Sequence, residues 1–284
     1  MDVAIVTDST CELAPGAEAR YAIDIVPLLV FFGEEVFRDG VDMPNEEFYS
    51  RLAKTKALPT TSQPSPAVFQ EFFRRRLDEG KAVVGVFISA LLSGTFQSAM
   101  TARSMFSAEE QERIHLIDSK HATGNLALIV LEACRMRDLG VDATGIARYL
   151  DEIIPRVRLY AMLDTLHYLK MGGRLSATAA AAGSVLNIAP ILTMQDGAVT
   201  PCAKIHKNHN VFRKWLREKL LGAPPDPQCP VAFLHSNNPA LAASLRDDIG
   251  SLLPTDNACD LCLGATVGVH VGPNAYGLSY ISRE

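Results

Sequence analysis

No apolar run in this sequence approaches the ~20 residues needed to cross a bilayer. The longest, Leu126 to Leu131 with its flanks, is broken by Glu132 and Arg135. An integral membrane segment is therefore not expected, which leaves room only for transient membrane contact. No basic stripe is present either. The 27 basic and 32 acidic residues are interspersed for a net charge of -5, so a nucleic acid is not an expected partner. The opening residues, MDVAIVTDST, lack a basic segment before their apolar run, so a secretory signal is not expected and the cytoplasm is the default location.

Metal-ligating and nucleotide-binding patterns are also missing. The six cysteines are scattered, as in a reducing compartment, and only Cys259 and Cys262 come near motif spacing. A structural zinc site would need a second Cys or His pair, and a thioredoxin-type redox pair would need a helix start after it; Leu263 to Val271 reads instead as strand. His206 and His209 lie three apart with no carboxylate or cysteine beside them, and read as solvated residues at a helix entry. Neither G-x-x-x-x-G-K-[ST] nor G-x-G-x-x-G occurs, so no metal and no cofactor are expected.

What is present is an ordinary globular composition, 48% hydrophobic and 21% charged, in a chain long enough for two cores. Strand-like runs alternate with helical patterns: Val3 to Thr7 and Ala82 to Ile88, both continuously apolar, with Ile23 to Phe32 and Ile114 to Ile117. This is the rhythm of a mostly parallel sheet covered on both faces. After Pro155 the pattern changes. Arg158 to Asp164, Ala198 to Ala203, Val231 to Leu234, Val267 to Val271 and Gly277 to Ile281 read as strands, the last two as a hairpin turning at Gly272, Pro273 and Asn274. The expected fold is α/β with two domains. Residues 1–157 form an α/β/α unit, residues 158–284 an α+β unit with a mixed or antiparallel sheet, and a ligand lies between them.

Two hydroxyl clusters stand out. Thr60, Thr61 and Ser62 precede a helix start at which Ser65 fits the N-cap and Pro66 the first turn. Ser93, Gly94 and Thr95 follow the strand ending at Ile88, and Gly94 lets backbone approach a ligand closely. Hydroxyls beside unpaired helix N–H groups suit a small anion such as a carboxylate or phosphate. The alternative is that they only cap helices. The turn Gly172, Gly173, Arg174 reads as exposed, and Ala177 to Ala182 with Gly183 as an Ala-rich helical face.

Taken in order, TDST (Thr7 to Thr10), TTSQPSP (Thr60 to Pro66), LSGTFQSA (Leu92 to Ala99), Asp118-Ser119, LDTLHYLKMGGRLS (Leu163 to Ser176), LNIAPIL (Leu186 to Leu192) and HVGPNAYG (His270 to Gly277) resemble the DegV family over essentially the whole chain. That family includes the fatty-acid-binding subunits of bacterial fatty acid kinase. The sequence departs from the pattern at Cys11 and at Asn274, where the family commonly has smaller residues. The resemblance implies a carrier, not an enzyme, holding a long-chain fatty acid such as palmitate with its tail buried. The carboxylate contacts then fall on Thr61 and Ser93, with Thr60, Ser62, Gly94 and Thr95 as neighbours and His270 acting directly or through water. It also implies a kinase subunit as partner, faced by Arg174. A serine hydrolase using Ser93 and His270 is the alternative from the residues themselves, although Ser93 stands in L-L-S-G-T and no nucleophile elbow surrounds it. A structural or signalling module without ligand is a third reading.

Overall fold

The computed structural model describes residues 2–175, 188–254 and 258–283. Val3–Asp8 (β1), Ile23–Val26 (β2), Ala82–Phe87 (β6) and Ile114–Asp118 (β7) form a parallel sheet in the order β2-β1-β6-β7. Both central strands are buried at every position, as strands covered on two faces must be. Between them in sequence, Leu29–Phe32 (β3), Glu35–Arg38 (β4) and Thr60–Ser62 (β5) make a small antiparallel sheet in the order β4-β3-β5. Ile23 to Phe32 is therefore two strands in two sheets. Pro27, which has no N–H to continue the ladder, lies where the chain leaves one sheet for the other.

Seven helices are described in this half: α1 (Ala17–Arg20), α2 (Asn45–Leu52), α3 (Pro66–Asp78), α4 (Thr95–Ser104), α5 (Ala108–Glu112), α6 (Thr123–Asp138) and α7 (Ala143–Ile153). Phe69 and Phe73 of α3 and Ala99 and Ala102 of α4 cover one face of the parallel sheet against Val83 and Phe87. The other face belongs to α6 and α7.

The second sheet is mixed. Val157–Met162 (β8), Ile188–Gln195 (β9), Ala198–His206 (β10), Val231–His235 (β11), Ala258–Cys262 (β12) and Tyr276–Ile281 (β13) run in the order β10-β9-β8-β13-β11-β12, and only β11 and β12 are parallel. Helices α8 (His167–Met171), α9 (His209–Gly222), α10 (Pro239–Ile249) and α11 (Ala265–Val271) complete the described chain. Phe212, Leu216 and Leu220 of α9 seat on this sheet with Leu245 and Ile249 of α10.

The two sheets share α6. It is buried on all sides from Thr123 through Val130, as a helix apolar all round must be. It joins Ile5, Val84 and Val86 of the parallel sheet to Ala232, Leu234 and Ile281 of the mixed sheet in one core. No helix among the described residues is long and apolar enough to cross a membrane.

Two expectations fail locally. Val267 to Val271 is not the first strand of a hairpin but the body of α11, so His270 rides on a helix. The expected hairpin partner, β13, instead runs antiparallel between β8 and β11. Cys262 is thus followed by a helix start at Ala265 and not by strand. The pair itself still lies within β12, where burial raises both thiols, Cys259 to about 11. A redox pair needs the opposite shift. The Ala-rich stretch Ala177 to Gly183 falls outside the described residues.

Candidate ligand-binding site

A cavity opens beyond the carboxyl ends of β1 and β6, where open α/β sheets place their ligands. It encloses about 120 Å³ accessible to the centre of a water-sized sphere, within about 1020 Å³ of non-atom space that includes its open mouth. The walls are apolar and come from both halves. Ile88, Leu92 and Ala122 come from the first half, and Leu159, Leu163, Leu192, Val199, Leu234 and Val267 from the second.

Polar groups gather from three elements. Thr61 and Ser62 come from β5, Ser93 from the loop between β6 and α4, and His270 from α11. The Thr61 hydroxyl and His270 Nε2 share a hydrogen bond of 3.1 Å, although 209 residues separate them. Ser93 Oγ lies 2.8 Å from Thr95 Oγ1 and accepts from the Thr95 N–H at 3.3 Å. Thr95 thus braces Ser93 from a fully buried position and does not itself line the cavity. Gly94 acts by what it lacks: a Cβ there would stand 3.0 Å from Gln63 Nε2, so Gln63 reaches across to the cavity wall. Thr60 is exposed and faces a separate shallow groove beside Phe31 and Lys54.

The first hydroxyl cluster is not arranged around a helix terminus, as its sequence suggests. Thr60–Ser62 pairs as a strand with β3, and Ser65 occupies the N-cap position of α3 without a side-chain hydrogen bond. Thr61, set opposite Val30, turns to the cavity, and strand alternation turns Thr60 the other way.

Burial, reinforced by the Arg174 guanidinium, holds His270 down to about 4, so at neutral pH the ring is uncharged. Its Nδ1 is buried with no partner among the described residues. Gly172 makes room for it, since a Cβ at that position would come within 2.2 Å of Nδ1. Arg174 also lines the cavity, half-buried, donating from Nε to Leu92 O at 3.2 Å and from Nη1 to Gly172 O at 2.6 Å. The turn after His270 is well formed. Asn274, at a φ of 61°, takes the left-handed conformation that asparagine tolerates, and its N–H donates to Ser236 O at 2.8 Å.

Thr10, Gln63, Thr123, Thr193 and Thr266 also line the cavity and were not among the expected site residues. Thr10 and Gln63 lie inside the TDST and TTSQPSP motifs, which is the signal that could have found them. Thr266 has no such signal, because its segment reads as strand.

Comparison with known proteins agrees with this geometry. The family model described as "Uncharacterised protein, DegV family" matches residues 2–283. The chain belongs to the DegV family. A DegV domain-containing protein of Halalkalibacterium halodurans is 35% identical over 284 residues, covering 98% of each chain. Among solved structures, a DegV family protein from Thermus thermophilus, described for its fatty acid binding, superposes with a TM-score of 0.89 at 30% identity, covering 99% of this chain and 100% of its own. A stearic acid-binding protein from Eubacterium ventriosum does so at 0.88 and 29%, covering 100% and 99%. The α/β architecture with a parallel and a mixed sheet is that of the DegV proteins.

Proposed function

We propose that this DegV protein binds a long-chain fatty acid such as palmitate, tail in the apolar cavity and carboxylate among Thr61, Ser93 and His270. The observation that carries this reading is the cavity itself, with apolar walls from the mixed sheet and from the segments that follow the parallel strands, and uncharged hydrogen-bonding side chains collected on three elements. Burying a tail of about sixteen carbons releases on the order of 10 kcal/mol at ~0.8 kcal/mol per CH₂, before the cost of immobilising it. The tail therefore supplies affinity. The hydroxyls and the imidazole replace water around the carboxylate, whose desolvation otherwise costs several kcal/mol. The fatty-acid-binding relatives from Thermus and Eubacterium support the same assignment.

A neutral donor set grips a carboxylate less firmly than a bidentate arginine, which suits cargo that must be handed on. The proposed recipient is a kinase subunit that phosphorylates the presented carboxylate, meeting the protein near Arg174. The hydrolase alternative requires Ser93 to bond His270. Instead Ser93 is engaged with Thr95, His270 with Thr61, and the charged group acting on His270 is the cation of Arg174 where a triad needs a carboxylate.

Native mass spectrometry of the freshly purified chain, with extraction of any bound lipid, tests the reading. A fatty acid adduct at near-unit stoichiometry is expected. A mass that stays bare after incubation with palmitate and stearate overturns the assignment.

A further inference from the structure

The helix that carries His270 is held at its entrance by three side chains from the far end of the sequence. Tyr49 donates its hydroxyl to Leu263 O at 2.9 Å. Glu12 Oε2 accepts from the Gly264 N–H at 2.7 Å, and Asp39 Oδ1 accepts from the Ala265 N–H at 3.0 Å. Three consecutive backbone groups are thus fixed by residues 214 to 252 positions away.

Both carboxylates are buried, with 7% and 4% of their residue surfaces exposed, and neither forms an ion pair among the described residues. A buried acid without a cation is unfavourable unless dipoles replace its water, and the free N–H groups of a helix start supply them. Burial and the neighbouring Asp39 push Glu12 well above the ordinary carboxylate range, and burial raises Asp39 too. Glu12 reaches its place from a φ of 51°, which a non-glycine residue seldom adopts. Gly264 has no Cβ for the same reason: one would stand 3.1 Å from Glu12 Oε2 and 3.3 Å from Asp39 Oδ1. Further along the helix, a Cβ on Gly268 would meet Phe48 Cε1 at 2.5 Å, so α11 is also pressed laterally against α2.

We propose that Glu12 and Asp39 are positioning residues for head-group recognition: gripping Gly264 and Ala265, they set the height at which α11 presents His270 to Thr61. His270 stands about one and a half turns beyond the grip, and the 3.1 Å contact with Thr61 does not survive an ångström of axial slip. The function it serves rests on the fatty acid reading above.

The test uses the full chain in five variants, Glu12→Ala, Asp39→Ala, Glu12→Gln, Asp39→Asn and Gly264→Ala, each also in a His270→Ala background. The readouts are palmitate affinity by displacement of a fluorescent fatty acid and the His270 titration by NMR. The alanine variants and Gly264→Ala are expected to weaken palmitate roughly tenfold, and to move His270 upward from about 4 toward its ordinary 6.5 as water reaches the ring. The amide variants, which keep an acceptor, should recover to within about threefold of the parent. In the His270→Ala background no further loss is expected, because the ring to be placed is gone. Losses that multiply with His270→Ala, or a His270 titration that stays put, overturn the proposal. Should the alanine variants fail to fold, Gly264→Ala and the amide variants carry the same comparison. A parent chain that binds no palmitate defeats the fatty acid reading, and the NMR titration then decides the positioning role by itself.

Discussion

Thr61 and Ser93 approach the cavity differently, and their replacements should differ accordingly. Thr61 holds His270 as well as any ligand, whereas Ser93 is held by Thr95. Losing one hydrogen bond to a charged acceptor costs about 1.5–3 kcal/mol, so each alanine variant should weaken palmitate by tenfold or more. Thr95→Val should weaken it less, through Ser93 alone. Calorimetric titration checks the order, and equal affinity in the Thr61→Ala, Ser93→Ala double variant would remove both from the site. At this scale much was legible. Thr61 stands out in a run of three hydroxyls and Ser93 beside Gly94 and Thr95, and both line the cavity. Thr60 reads identically to Thr61 in sequence. Strand alternation separates them, and that depends on pairing with β3, which no local pattern encodes.

Among elements, α11 shows where sequence reading stops. Val267, Val269 and Val271 alternate as in a strand, and β-branched residues favour one. They form a helix because its start is capped from Glu12 and Asp39, contacts 226 to 252 residues distant in the chain. The two central parallel strands, by contrast, are visible as apolar runs whose burial needs no partner to be named. Two consequences at this scale can be measured. His121 donates from Nε2 to Ile154 O at 3.1 Å and accepts from Asn125 at Nδ1, tying the start of α6 to the end of α7. Burial holds it down to about 4, against 6.5 when unfolded. The unfolded chain therefore binds the proton first, so this contribution is complete above pH 6.5 and is lost as pH falls toward 4, by at most roughly 3 kcal/mol. The difference in urea stability between parent and His121→Gln should shrink over that window, and a pH-independent difference would contradict it. Gly277→Ala is the second. Its Cβ would meet Tyr160 O at 2.4 Å and Ala161 Cα at 2.8 Å, backbone that cannot turn aside. A loss of about 3 kcal/mol is expected in the same denaturation experiment.

The molecule as a whole is organised by α6, which belongs to the cores of both sheets. Unfolding should therefore be one transition. Trp215, the single tryptophan, lies on α9 against Tyr160 with ring centroids 5.1 Å apart, and reports on the mixed sheet. Its fluorescence and the far-ultraviolet circular dichroism should give coincident urea curves, both shifted by about 2.7 kcal/mol when palmitate is present at a hundredfold its dissociation constant. Two separated curves would mean that the sheets unfold independently. Burial of α6 across both cores is also why no linker marks a division near Pro155 in the sequence.

Among the bonds that cross between the halves near the cavity, one reaches the β9–β10 hairpin. Ser89 Oγ donates to Gly197 O at 2.7 Å, joining the segment that leads into Ser93 to the tip of the β9–β10 hairpin, whose Leu192, Met194 and Val199 enclose the tail space. The hairpin that lines the cavity is thereby fastened to the loop that carries Ser93. A displacement of the hairpin is passed to Ser93 through Ser89, whose carbonyl accepts from the Ser93 N–H at 3.1 Å.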